Sequence, residues 1–189
     1  MNFIKNPSFT FLIRFLPAII LWYSFYHFIY KLDHLIDPDF NFLLLFSETL
    51  SLQSNFLLRI IGLNAITELH GDMVVAKILD FPYTHGVWIG EPCNGIKVFG
   101  LFAIFISIFK GKAIHKIWFI PTGIILLHFL NVIRVSALTY IAAIQPNWLN
   151  FNHNITFQLI IYSVMFFLWY TWITKFSFST NAKKENEET

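Results

Sequence analysis

The sequence predicts an all-α, multi-pass membrane protein with about four transmembrane helices, an amphipathic helix and a small extracytoplasmic hairpin. Hydrophobic residues make up 56% of the 189 residues, and charged residues make up only 13%. The mean hydropathy of +0.60 is too high for a water-soluble globular domain. Four segments are apolar over lengths close to the roughly 20 residues that a spanning helix needs. Basic residues cluster beside these segments, as they do in membrane proteins.

A long stretch of mixed composition separates the first apolar segment from the second, and short polar interruptions separate the later ones. The four segments run from about Phe9 to Tyr30, Asn94 to Phe109, Lys112 to Ile144 and Ile155 to Ile173. The first segment ends without the small-residue cleavage site of a signal peptide, so it is predicted to be an uncleaved anchor.

The stretch Asn41–Ile61 is apolar in part but carries several polar side chains. Centring Glu48 or Arg59 in lipid would cost a few kcal/mol each. An amphipathic helix that lies on the membrane or packs on the helix bundle is therefore expected here. A fifth span would also place the basic connections on opposite sides of the membrane.

Short strands are expected between this helix and the second apolar segment. The stretch Asp72–Asp80 is rich in Val and Ile, and Thr84–Ile89 is a possible return strand after a turn at Pro82. Residues 1–180 are interpreted as one integral-membrane domain. The polar tail 181–189 is expected to be disordered.

Charge sets the predicted orientation. Lys110, Lys112 and Lys116 surround the connection between the second and third segments, and further basic residues lie near the N-terminus (Lys5, Arg14) and after the last segment (Lys175, Lys183, Lys184). These regions are predicted to be cytoplasmic, which leaves the acidic region from Lys31 to Pro92 on the outside. The expected location is the inner (cytoplasmic) membrane, and the charge pattern does not indicate nucleic acid binding.

Cys93 is the only cysteine in the chain, and it lies just before the second apolar segment. A disulfide within the chain and a thiol–disulfide relay are therefore excluded. An inert buried thiol, an intermolecular bridge and a nucleophile remain. A position at a helix N-terminus favours the nucleophile, because the unpaired N–H groups and the helix dipole stabilise a thiolate. Lys97, one turn further on, would add a cation on the same face.

Helix rise places three chemically active side chains at one depth. Counted from the cytoplasmic lysines of their helices, Cys93, Arg134 and His153 lie about 26, 27 and 33 Å away. The reference lysines are Lys110, Lys116 and Lys175. The hydrocarbon core is about 30 Å thick, so all three side chains are predicted near the outer interface.

The residue types suggest roles at such a site. A cysteine thiolate attacks an acyl carbon and forms a thioester. His153 can take the thiol proton and return it to a leaving amine, because a histidine pKa lies near neutrality. Arg134 can hold the thiolate or stabilise the oxyanion of the tetrahedral intermediate. No metal-ligand cluster stands out, and no cofactor is predicted.

Three short motifs resemble those of the exosortase/archaeosortase family of membrane cysteine transpeptidases, most closely the compact exosortase type F group. Residues 91–95 (Glu-Pro-Cys-Asn-Gly) are similar to the family's Cys-Ser-Gly motif, with Asn94 where many members have serine. Residues 131–134 match its Asn-x-x-Arg, and His153 matches the position of its histidine. The resemblance covers about residues 91–170.

This resemblance implies a function and a set of partners. The substrate would be an exported protein with a C-terminal signal, made of a short motif, a transmembrane helix and a basic tail. The enzyme would cleave this signal at the outer face of the membrane and pass the new carboxyl end to an unknown acceptor. Supporting or substrate-binding roles are expected for four further residues: Glu91, Asn94, Lys97 and Asn131.

Simpler interpretations remain for each residue. Arg134 is long enough to snorkel to the headgroups, and His153 is compatible with an ordinary loop. Asn152 or Asn154 is a suitable N-cap for the last helix. The alternative function is a non-catalytic membrane assembly factor that holds a partner with its extracytoplasmic region. A third possibility is an enzyme that transfers an acyl or glycan group to lipid-linked acceptors, with turnover that is independent of Cys93 or that depends on the Glu91 carboxylate.

Overall fold

The computed structural model describes residues 7–33, 42–71, 73–81, 86–90 and 93–177, which form a mostly helical protein with one small antiparallel sheet. The tail 181–189 and Glu91 lie outside these residues. The helices are α1 (Pro7–Asp33), α2 (Phe42–Ile60), α3 (Ile96–Ile108), α4 (Ala113–Ile144), α5 (Leu149–Phe151) and α6 (Phe157–Thr171). The strands are β1 (Ala65–His70), β2 (Met73–Ile78) and β3 (Val87–Trp88).

Among the described residues, three helical segments are long and apolar enough to cross a membrane: Phe11–Leu32, Ala113–Ile144 and Pro146–Ser177. The fourth expected segment is shorter, because α3 has 13 residues and therefore spans only about 20 Å.

The last helical segment begins earlier than predicted. A 3₁₀ turn opens at Pro146, whose fixed φ suits the first position of a helix, and π-helical turns flank α6 at Asn152–Thr156 and Trp172–Ser177. Asn152 and Asn154 therefore lie inside the helical segment, and the expectation that one of them caps its N-terminus is wrong. The polar stretch around them hid the start of the helix from a hydropathy argument.

The chain divides into two compact units. The first contains residues 1–29, 96–127 and 163–189. Its core is aromatic: the rings of Phe105 and Trp169 stack with centroids 4.1 Å apart, and Phe102 and Trp172 are fully buried. Stacked and edge-to-face rings bury large apolar areas in preferred geometries, which accounts for the use of so many phenylalanines here.

The second unit contains residues 30–95 and 128–162, and the sheet lies within it. The strand order is β1-β2-β3, with both neighbouring pairs antiparallel. The antiparallel strands β2 and β3 confirm the two strands expected after residue 72, and the turn expected at Pro82 lies outside the described residues. Strand β1 was not predicted, because the polar residues Thr67 and Glu68 interrupt its alternation of apolar and polar residues. The chain turns from β1 into β2 at Gly71, whose φ of +61° suits glycine.

Helix α2 packs its polar side inward. Its buried residues are Leu43, Ser47, Leu50, Ser51, Ser54, Asn55 and Leu58. The Ser136 hydroxyl of α4 donates to the Ser54 carbonyl at 3.1 Å, and the Ser54 hydroxyl lies 3.3 Å from the Val132 carbonyl. Small serines allow helix backbones to approach closely, and these bonds satisfy their hydroxyls. The outer side of α2 exposes large apolar side chains, namely Phe42, Leu45, Leu52, Phe56 and Ile60.

A bulky side chain at this contact should loosen the second unit. Ser54 is fully buried against α4, so Ser54→Leu is expected to lower the free energy of unfolding by about 1–3 kcal/mol through overpacking. Ser54→Ala removes only the hydroxyl and should cost about 1 kcal/mol. Thermal unfolding of both variants in the same detergent measures the difference. Equal midpoints for Ser54→Leu and the parent chain would contradict the close packing.

Candidate active site

Cys93 lies in a turn before α3. The Cys93 N–H donates to the Gly90 carbonyl at 2.9 Å, and α3 begins three residues later at Ile96. Gly95 links the turn to the helix with φ of +83°, a conformation that other residues rarely adopt. Cys93 thus precedes the helix and does not occupy its first turn, where the N–H groups and dipole act most strongly.

Burial raises the pKa of the Cys93 thiol, and the nearby Arg134 charge lowers it by a smaller amount. The thiol is only 4% exposed and packs in an apolar cluster with Leu50, Ile89 and Val135. An apolar environment disfavours the charged form of an acid. The expectation of a thiolate stabilised at rest is therefore wrong in sign: the resting group is a protonated thiol.

His153 is the nearest titratable partner of this thiol. Its Nε2 atom lies 2.9 Å from the Cys93 Sγ atom. The histidine stands on the π-helical turn Asn152–Thr156, a kind of irregularity that is frequent at functional sites. A protonated thiol at this distance donates to a neutral imidazole nitrogen, which is the arrangement needed to transfer the proton.

Asn154 sets the state of that imidazole. Its Oδ1 atom lies 2.9 Å from His153 Nδ1. An amide oxygen only accepts, so Nδ1 carries a hydrogen, and in the neutral ring Nε2 is then the acceptor that faces Cys93. Cys93, His153 and Asn154 thus form a chain of two contacts, Sγ to Nε2 and Nδ1 to Oδ1. Sequence reasoning missed this contact because it considered Asn154 only as one of two candidate helix caps; the available signal was its position next to His153.

Arg134 completes the group around the sulfur. An Nη atom of its guanidinium lies 4.0 Å from Cys93 Sγ. The side chain is 5% exposed, and its buried Nε has no hydrogen-bond partner among the described residues. Buried donors are nearly always paired in native proteins. The guanidinium therefore has donor capacity left for an oxygen atom of a bound molecule.

Asn131 ties the cysteine turn to α4. Its Nδ2 donates to the Cys93 carbonyl at 2.8 Å in a fully buried position. Its Oδ1 is buried without a partner among the residues that the structure describes. Asn131 and Arg134 are three residues apart and share one helix face. One side of α4 therefore both holds the backbone of Cys93 and presents a cation to its sulfur.

For Asn94 and Lys97, the other described residues predicted for this site, the structure gives a position but no hydrogen bond with the Cys93 sulfur. Asn94 is buried beside Cys93 in the sequence. The Lys97 ammonium lies 5.0 Å from the centroid of the Tyr26 ring, a cation–π geometry, and its proposed effect on the thiol stays a prediction. Within the described parts of the chain, no group of three or more His, Cys, Asp or Glu residues is arranged to hold a metal ion.

Comparisons of the chain with protein family models, with curated proteins and with solved structures find no match. The residues around Cys93 are therefore the feature of the molecule that indicates a function. Their arrangement can move a proton from sulfur to imidazole, hold the imidazole in one tautomer and stabilise a negative oxygen.

Alkylation by iodoacetamide should report the raised pKa of Cys93. Because the thiolate is the reactive form, the rate should rise with pH to a midpoint above the usual thiol range. Arg134→Met removes the charge that lowers this pKa, so the midpoint should move higher still. Arg59→Met is the control, because Arg59 bonds the Ala65 carbonyl and should leave the midpoint unchanged. A downward shift in Arg134→Met would contradict the assignment.

Loss of the Asn154 amide should impair the Cys93–His153 pair. In Asn154→Ala, the rate of Cys93 modification at pH 7 is expected to fall about three- to tenfold, the effect of one lost hydrogen bond. Asn152→Ala is a matched control, because the Asn152 amide donates to the Trp148 carbonyl. Equal rates in the two variants would remove Asn154 from the site. Mass spectrometry of the intact protein measures the rates.

Proposed function

We propose that this protein is a membrane-embedded cysteine peptidase or transpeptidase. The observation that carries the proposal is the contact of Cys93 Sγ with His153 Nε2 at 2.9 Å, with the Arg134 guanidinium 4.0 Å from the same sulfur. A nucleophile within hydrogen-bond reach of a base, whose other nitrogen is held by a third group, is the signature of covalent catalysis.

Acylation begins with proton transfer. His153 Nε2 takes the Cys93 proton as the sulfur attacks the carbonyl carbon of a substrate peptide bond. The oxygen of the tetrahedral intermediate gains negative charge and receives hydrogen bonds from Arg134. The C–N bond then breaks, and the imidazolium gives its proton to the leaving amine. The amino-terminal part of the substrate remains on Cys93 as a thioester.

Deacylation reverses the order of events. An acceptor nucleophile, or water, loses its proton to His153 Nε2 and attacks the thioester carbon. The C–S bond breaks and the sulfur regains the proton, which restores the resting thiol. An amine or hydroxyl acceptor gives transfer, and water gives hydrolysis. The protonated resting state suits this cycle, because the charge is generated only when His153 and a substrate are both in place.

Two unpartnered polar atoms at the site support the proposal that it binds a peptide substrate. Arg134 Nε and Asn131 Oδ1 are a buried donor and a buried acceptor without partners among the described residues. A peptide bond carries one acceptor and one donor of the kinds that these atoms need.

The proposed topology has four spans, formed by α1, α3, α4 and the segment Pro146–Ser177, with both termini in the cytoplasm. Lys110, Lys112 and Lys116 between α3 and α4 support a cytoplasmic connection. The site would then face the periplasm at the inner membrane. The exosortase resemblance suggests an exported substrate with a C-terminal motif, a spanning helix and a basic tail, whose helix would dock laterally in lipid.

The rival function is a non-catalytic assembly factor. One observation favours it: a buried cysteine with a raised pKa is also the ordinary state of an inert thiol. The two functions differ in whether a thioester ever forms on Cys93.

Hydroxylamine should intercept the thioester. Membranes that contain the protein and its natural substrates, treated with hydroxylamine, are expected to accumulate polypeptides with a C-terminal hydroxamate. Mass spectrometry identifies these ends and thereby the cleavage motif. Membranes with Cys93→Ala should contain none, because no sulfur is present to form the thioester. Hydroxamates of equal amount in both preparations, with Cys93→Ala folded by thermal unfolding, would exclude the peptidase mechanism and favour the rival.

A further inference from the structure

Strand β3 has an open backbone edge next to the cysteine. It pairs with β2 on one side, and no strand of the described chain pairs with its other side. The Ile89 N–H donates to the Val74 carbonyl at 2.8 Å, so Ile89 and Val87 direct their backbone groups to β2. In an antiparallel pair these groups alternate between the two sides. The N–H and C=O of Trp88 therefore point to the open edge.

The side chains of the same strand alternate between a buried face and an exposed face. Val87 and Ile89 are buried, and the Trp88 indole is 57% exposed. This indole packs over Gly90: a Cβ atom added there would lie 2.9 Å from the indole Cζ2. The Gly90 carbonyl in turn accepts the Cys93 N–H at 2.9 Å. The residues from Trp88 to Cys93 thus carry three neighbouring features: an open strand edge, an exposed aromatic ring and the turn with the thiol.

We propose that the substrate segment beside the scissile bond adds to the outer edge of β3 as an extended strand, and that Trp88 contacts one of its side chains. This proposal rests on the peptidase function above and names how that site recognises its substrate. Neighbouring N–H and C=O groups on one edge match a polypeptide backbone, which offers the same pair in return. A lipid acyl chain offers neither group, so the edge selects peptide.

The strand geometry also gives the site a rule for specificity. Side chains of an added strand alternate between the two faces of the sheet. Ile89 lies in the buried cluster that contains Cys93, whereas Trp88 lies on the other face. The substrate residue that is attacked would then face Cys93, and an adjacent residue would lie against the indole. An aromatic or long apolar side chain fits that neighbour position best.

An exposed tryptophan in a membrane protein has another common role, which is anchoring at the lipid headgroups. Trp148 provides the comparison for this role. It is also 57% exposed and belongs to the same unit, but it lies in a 3₁₀ turn without a strand edge. Anchoring predicts similar effects for the two tryptophans, and substrate recognition predicts an effect for Trp88 alone.

Peptidyl vinyl sulfones test the proposal without knowledge of the natural substrate. Intact-protein mass spectrometry gives the rate constant of Cys93 modification for probes of one and of four residues. The four-residue probe is expected to react about tenfold faster with the parent chain. In Trp88→Ala, the ratio of the four-residue to the one-residue rate constant should be about two- to tenfold lower than in the parent chain. In Trp148→Ala, this ratio should be unchanged. Iodoacetamide should modify all three proteins at equal rates, which shows that the site is intact.

Backbone pairing has its own test on the parent chain. Each peptide N–H of the four-residue probe is replaced in turn by an ester oxygen. The replacement that faces the Trp88 carbonyl should lower the rate about three- to tenfold, and the others should change it little. This measurement decides the question even if Trp88→Ala fails to fold.

Three results would overturn the proposal: no gain with probe length, equal losses in the two tryptophan variants, or no sensitive ester position. Each leaves the peptidase function standing if the one-residue probe still modifies Cys93. If neither probe modifies Cys93, while iodoacetamide reacts, the peptidase function and the substrate proposal are overturned together.

Discussion

The buried hydrogen bond from the Asn131 amide to the Cys93 carbonyl is the constraint on which the candidate site depends. It joins the turn before α3 to the middle of α4 in surroundings that exclude water. Breaking such a bond leaves a buried carbonyl unsatisfied, so the turn has one favoured position. Because Arg134 follows Asn131 by three residues, the same helix face that holds the Cys93 backbone also directs the guanidinium to the sulfur.

Burial determines the chemistry of this arrangement. Apolar side chains around Cys93 raise the pKa of its thiol more than Arg134 lowers it. The raised pKa of Cys93 favours a protonated thiol at rest over a thiolate beside His153. A neutral pair is cheaper to keep in an apolar environment than two separated charges. The hydrogen bond of His153 to Asn154 selects the tautomer that this neutral pair requires.

The second unit gives the cysteine turn a rigid support. Strand β2 lies between β1 and β3, and the polar side of α2 packs closely against Val132 and Ser136 of α4. Strand β3 leads directly into the turn that carries Cys93. Small buried serines on α2 let the two helices approach each other, and large apolar residues of α2 are left on the outside. A site held by regular elements keeps its geometry better than one held by loops alone.

Local physical rules were enough to predict part of this protein. Hydropathy and segment length predicted α1, α4 and a final apolar helix, because the cost of placing charge in lipid acts on each segment independently. Helix rise predicted that Cys93, Arg134 and His153 would lie at one level, since the rise per residue does not depend on the neighbours of a helix. The contacts among the three side chains agree with that expectation. Their catalytic roles stay predictions.

Tertiary structure alone decided the remaining features. The direction of the Cys93 pKa shift depends on Leu50, Ile89 and Val135, which come from three separate parts of the chain. Asn154 became the partner of His153 because the last helix begins near Pro146, where an early start brings polar residues inside the helix. Strand β1 forms because β2 pairs with it, and pairing is a property of two segments together. The sequence by itself thus determined which helices form and how far along them the reactive groups lie. The protonation state and the hydrogen-bond partners were decided by packing, because both depend on atoms that are distant in the chain.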